Sequence, residues 1–96
     1  MTLEASDVIV GCENVLQVQL RAEVRLLVFA IVQKYQVVVN DGGWRIDEVR
    51  EWCVRATEAY AKFRDEGNDV EQYQSALRIA QESCEAEFER WQQDRI

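Results

Sequence analysis

The sequence predicts an all-α fold, and three observations carry that expectation. The 96 residues contain no proline and only four glycines, so long stretches are free of helix breakers. Apolar residues recur at steps of three and four along most of the chain, the period of a helix rather than of a strand. Strong turn residues cluster at 40–43 and 67–69, which divides the chain into three helical segments. The expected architecture is a single domain, a long N-terminal helix followed by an antiparallel helical hairpin, resembling a three-helix bundle.

The first helix is expected over about residues 6–38, with Ser6 or Asp7 as its cap. Val37, Val38 and Val39 are β-branched and weaken its end. Asn40-Asp41-Gly42-Gly43 then stops it, because Asn and Gly tolerate the left-handed backbone of a helix terminus. A short hairpin of residues 35–39 and 44–46 around the same turn is the alternative. The second helix is expected over about residues 45–66, with Ile46, Val49, Cys53, Ala56, Tyr60 and Phe63 as an alternating three-and-four seam. Gly67 ends it, and Asn68 or Asp69 caps the next. The third helix, about residues 69–93, carries Val70, Tyr73, Leu77, Ala80, Cys84, Phe88 and Trp91 as its stripe.

The first helix has more apolar surface than one core face needs. The run Leu26-Leu27-Val28-Phe29-Ala30-Ile31-Val32 is apolar on nearly every side. One stripe holds Ile9, Cys12, Leu16, Leu20, Val24, Leu27, Ile31 and Val38; another holds Val8, Val15, Val18, Ala22, Leu26 and Phe29. The two lie roughly 140° apart around the axis. One face, Leu27/Ile31 or Leu26/Phe29, is expected on the hairpin and the other on a second copy, giving a homodimer through helix 1.

Composition bounds the partners. Eleven basic residues against eighteen acidic ones give a net charge of −7, which disfavours direct nucleic-acid binding and anionic membrane surfaces. A protein partner with a basic surface is compatible. The seven-residue apolar run is too short for a membrane span, which needs about 20 residues. The acidic start, with no basic n-region, shows no signal peptide. Cys12, Cys53 and Cys84 are an odd, widely spaced set on apolar stripes, and histidine is absent. That excludes a Cys/His zinc site and suggests buried, reduced thiols in a cytoplasmic protein.

Catalytic material is sparse, since the usual acid–base residue is missing and no serine or cysteine has a recognisable activating base. Glu48-x-x-Glu51 and Glu66-x-x-Asp69 resemble the paired carboxylates of MazG-like all-α nucleotide pyrophosphohydrolases. The resemblance implies Mg²⁺ held by carboxylate oxygens and hydrolysis of nucleoside triphosphates. The second pair departs from the family pattern by straddling Gly67, where Glu66 ends one helix and Asp69 caps the next. No cofactor is expected otherwise.

Glu82, Glu85 and Glu89 line one face of the third helix at steps of three and four. Such a ridge is either a solvated surface or a negative face that docks on a basic groove. Small acidic inhibitors of nucleic-acid enzymes, phage anti-defence proteins among them, act in the second way, which makes such an inhibitor a sharper form of the interaction reading. Trp44 and Trp91 are candidate aromatic anchors, and Trp52 neighbours the second seam. The function expected from sequence is therefore a non-enzymatic adaptor, regulator or inhibitor that binds another protein.

Overall fold

The computed structural model describes residues 3–63 and 70–95. It contains four α-helices: α1 (Ala5–Leu16), α2 (Ala22–Asn40), α3 (Ile46–Phe63) and α4 (Val70–Asp94). No strand occurs among the described residues, so the fold class is all-α. The side chains of Tyr60, Phe63 and Val70 lie outside the described residues, as do Glu66, Gly67, Asn68 and Asp69. The 35–46 segment is no hairpin: it stays helical to Asn40, turns, and becomes helical again at Ile46.

One expectation is corrected. Residues 5–40 form two helices, not one long one over about 6–38. Gln17 closes α1 in the left-handed conformation, with φ 55° and ψ 39°. The Val18 N–H then reaches back to the Glu13 carbonyl at 3.3 Å. The Glu13 carboxylate completes the turn, accepting hydrogen bonds from the Leu20 N–H at 2.8 Å and from Arg25 at 3.1 Å. Leu20 is thereby drawn into the core. These bonds satisfy groups that the helix ends leave without intrahelical partners. α1 folds back antiparallel to α2, so that Gln36 Nε2 donates to the Leu3 carbonyl at 2.7 Å.

Folding back changes what α2 must bury. It packs against α1, α3 and α4 together. Its buried positions are Val24, Val28, Ile31, Val32, Tyr35, Val38 and Val39, a far wider face than one stripe. Much of the apolar excess in Leu26–Val32 is thus consumed within the chain, by α1. The stripe containing Leu27 and Ile31 is the core face: Ile31 is buried and Leu27 packs against the core. α4 supplies the opposing surface, with Tyr73, Ala76, Leu77, Ala80, Cys84 and Phe88 buried. Three of those residues are small, which suits close approach of α1 and α2; the Cys12 thiol meets the Ala76 carbonyl at 3.6 Å. α3 adds Val49 and Cys53, as its seam predicts.

The turn between α2 and α3 is closed by a glycine and a tryptophan. Gly42 and Gly43 have φ of 98° and 85°, a region that L side chains rarely adopt. The Gly43 N–H donates to the Val38 carbonyl at 2.8 Å. Trp91 packs directly over Gly43: a Cβ added there falls 2.8 Å from a Trp91 ring carbon. Phe88 supports Trp91, with ring centroids 5.5 Å apart. Arg95 stacks over Trp91 at 4.6 Å and donates to the Gly42 carbonyl at 3.0 Å. Gly43→Ala is therefore expected to cost about 2–4 kcal/mol, from the wrong backbone region and from overpacking. Gly42→Ala meets open space and carries only the backbone part, about 1–2 kcal/mol. Urea unfolding of the two variants checks the difference; equal losses would mean that Trp91 does not close the turn.

Candidate functional site

The surface of α2 turned away from the core is the most unusual feature of the molecule. At 100° per residue, Ala22, Leu26, Phe29, Ala30, Gln33, Val37 and Asn40 share about 100° of arc. None of them is charged, in a chain where charged residues make up 30%. Leu26 is 71% exposed, Phe29 55% and Val37 52%. No acidic residue occurs between Glu23 and Asp41. Leu26 and Phe29 thus belong to the outward face, and Leu27 and Ile31 to the inward one.

Grooves border this face on both sides. Toward α3 lies an open groove of about 660 Å³, floored by Ala30 and Val37 and walled by Trp52 and Lys34. The Lys34 ammonium sits over the Trp52 ring at 4.6 Å. Arg45 and Arg55 rim the same groove, but each is held by a carboxylate, Glu48 and Glu51 respectively. Toward α1, Phe29 and Gln33 border a shallower groove closed by Glu4, Ala5 and Ser6. Trp44, 75% exposed beside the α2–α3 turn, carries the Arg45 guanidinium over its ring at 5.5 Å. Of the two candidate anchors, Trp44 is the exposed one, whereas Trp91 is packed over Gly43.

The acidic ridge of α4 is not uniform. Glu82 and Glu89 are exposed. Glu85 is engaged: Arg50 grips it with two hydrogen bonds, Nε to Oε1 at 2.6 Å and a second nitrogen to Oε2 at 3.0 Å. The hydroxyl of the buried Tyr35 donates to Glu85 Oε1 at 3.0 Å. One carboxylate therefore ties α2, α3 and α4 together. Arg50 holds the Glu85 carboxyl below its ordinary 4.5, with help from Tyr35. Burial, then the Glu85 charge, raises the Tyr35 phenol above its ordinary value, so it stays a donor. Arg50 and Arg78 lie in the same groove as Glu82 and Glu89, and so dilute the ridge's negative field.

The remaining sequence candidates are placed as follows. Glu48 and Glu51 are each explained by their arginine partners, and Glu66 and Asp69 lie outside the described residues. No group of three metal-ligating side chains occurs among the described residues. Cys12, Cys53 and Cys84 are free thiols and fully within the core. Burial pushes Cys84 up to about 12 and Cys53 up to about 11, which suppresses the reactive thiolate.

Compared with known proteins, the chain matches no protein family, no curated sequence and no solved structure.

Two outcomes are expected from this chemistry. The depressed Glu85 carboxyl contributes stability at neutral pH, and that contribution fades as pH falls below 4.5 through the lowered folded-state value. Glu85→Gln should cost about 1–2 kcal/mol at pH 7 and much less at pH 3, read from urea midpoints. A gap between the two proteins that ignores pH would remove the ion pair from the explanation. The three thiols should react slowly with a thiol-specific reagent in the native protein and fully in denaturant; rapid native labelling would contradict their burial.

Proposed function

We propose that this chain is a non-enzymatic interaction module that binds another protein through the outward face of α2. The carrying observation is the uncharged, exposed series Leu26, Phe29, Gln33 and Val37 on a chain of net charge −7. Apolar side chains at this helical spacing, rimmed by polar groups and grooves, form the usual receptor or ligand surface for a second helix. Phe29 and Trp44 supply aromatic area of the kind that dominates binding energies. Pairing of two copies through the α1–α2 region belongs to the same reading, because the central contact of such a pair would bring no like charges together.

The acidic-ridge form, an inhibitor of a nucleic-acid enzyme, draws on Glu82 and Glu89. Glu85 is committed to Arg50 and Tyr35, which favours the α2 face over the ridge. The Mg²⁺-dependent hydrolase reading draws on Glu48 and Glu51, whose pairing with Arg45 and Arg55 accounts for both carboxylates.

The test places a photo-crosslinking residue at Gln33 in cells that make the protein, with the exposed Val54 on α3 as control. An adduct at Gln33 with a different protein is expected and should disappear in the Leu26→Glu/Phe29→Glu variant. That variant should keep its helical circular dichroism, since both side chains are exposed. Binding should weaken by roughly tenfold or more, the size of losing one well-placed apolar anchor. Equal adducts at Gln33 and Val54 would sink the assignment.

A further inference from the structure

The hinge between α1 and α2 is closed at a local cost. Gln17 is not a glycine, yet it occupies the left-handed region. The buried Arg25 Nε has no hydrogen-bond partner among the described residues. α2 begins without a side-chain cap. The Glu13 carboxylate latches the turn through the Leu20 N–H and Arg25, beside the Val18 N–H bond to the Glu13 carbonyl. Against this, the sequence across the hinge is fully helix-competent. Residues 12–41 contain neither glycine nor proline. The apolar series Cys12, Leu16, Leu20, Val24, Leu27 and Ile31 continues through it at helical steps.

Straightening the hinge would make residues 5–40 one helix about 54 Å long. Gln17 would return to the right-handed region, and the helix ends at the hinge would gain intrahelical partners. α1 would then leave its own α2 and α4, uncovering Val8, Cys12 and the apolar surface that they fill. A second copy is the one surface that matches α1 in full, because it carries the same α2 and α4 with the same vacancy. Since α1 runs antiparallel to α2, two straightened helices laid side by side about a two-fold axis at residues 17–21 put each α1 into the other copy's site.

We propose that the chain forms a reciprocally exchanged dimer, in which α1 swaps between two copies about the Gln17–Arg21 hinge. Every contact of α1 with α2 and α4 is kept, now between chains, so concentration and the hinge alone set the balance. This proposal rests on the pairing of two copies. Leu26 is exposed, and Phe29 borders α1 alike in the folded-back chain and in the exchanged pair, so the exchange and the outward face of α2 stand or fall separately.

The test labels one preparation with a spin label at Ser6 and another at Gln33, positions that border the same groove in the folded-back chain. The labels are attached through non-exchangeable thioethers at Ser6→Cys and Gln33→Cys in the folded protein, where the native thiols are buried. The two are mixed, unfolded and refolded together at high concentration. A short distance between chains is expected, equal to the one within a doubly labelled monomer. In a doubly labelled chain diluted into unlabelled dimer, the distance within the chain should lengthen to about 40 Å, the rise over 27 helical residues. Gln17→Gly relieves the folded-back turn and should lower the dimerisation constant by roughly tenfold or more. Glu13→Ala removes the latch and should raise it. Leu26→Glu/Phe29→Glu should leave the exchanged dimer intact. A chain that stays monomeric at all concentrations overturns the exchange. So does a dimer that lacks the Ser6–Gln33 distance and is lost in Leu26→Glu/Phe29→Glu, an outcome that keeps the exposed-face reading. Hinge variants that move the constant in the same direction overturn it as well.

Discussion

Tyr35 sits fully buried in the middle of the central helix, and its hydroxyl has to be satisfied there. The partner is Glu85, which Arg50 keeps charged. This one node joins α2 to α4 and α4 to α3, and it fixes how α2 is rotated about its own axis. Tyr35 stands nine residues from Leu26, which is half a revolution in a helix. Anchoring the phenol inward therefore turns Leu26, with Phe29 and Val37 beside it, to solvent. The polar bond that locks the core and the apolar face left on the surface are two ends of the same constraint.

Around this node, small residues decide which helices can approach. Ala76, Ala80 and Cys84 give α4 a low profile on which α1 and α2 both lie. The thiols of Cys12, Cys53 and Cys84 serve as compact apolar groups, and their raised pKa values express the same dryness that holds the Tyr35 proton. Glu13 plays a comparable part at the hinge. Its carboxyl is held below its usual value by the Leu20 N–H first and then by Arg25. Glu13 and Glu85 thus each tie together parts of the fold that lie apart in the sequence.

The helical class and the inner stripes of α3 and α4 were legible because they depend on periodicity alone. Tyr73, Leu77, Ala80, Cys84 and Phe88 are buried as their spacing requires. The break at Gln17 was not legible, since no residue from Gln17 to Arg21 is a helix breaker and the turn is closed by a side chain, Glu13. Val28, Val32 and Tyr35 belong to neither apolar stripe of the first helix, yet all three are core, because a folded-back α1 widens the face that α2 buries. Glu85 could not be told from Glu82 and Glu89 in the sequence, because its partner Arg50 lies 35 positions away. The apolar excess of residues 26–32 was visible, but its division into inward and outward parts needed the rotation that Tyr35 sets.

The order of the helices along the chain has a consequence for biosynthesis. α4 covers α1, α2 and α3, but it follows all three along the chain. Until α4 is made, Val28, Ile31, Val32 and Tyr35 lack the largest of the surfaces that bury them. At ~5–20 residues per second, the segment from residue 64 to 94 takes a few seconds more to synthesise. Until α4 emerges, the core side of α2 that α4 covers stays open. The nascent chain is then a natural client for chaperones that hold apolar segments.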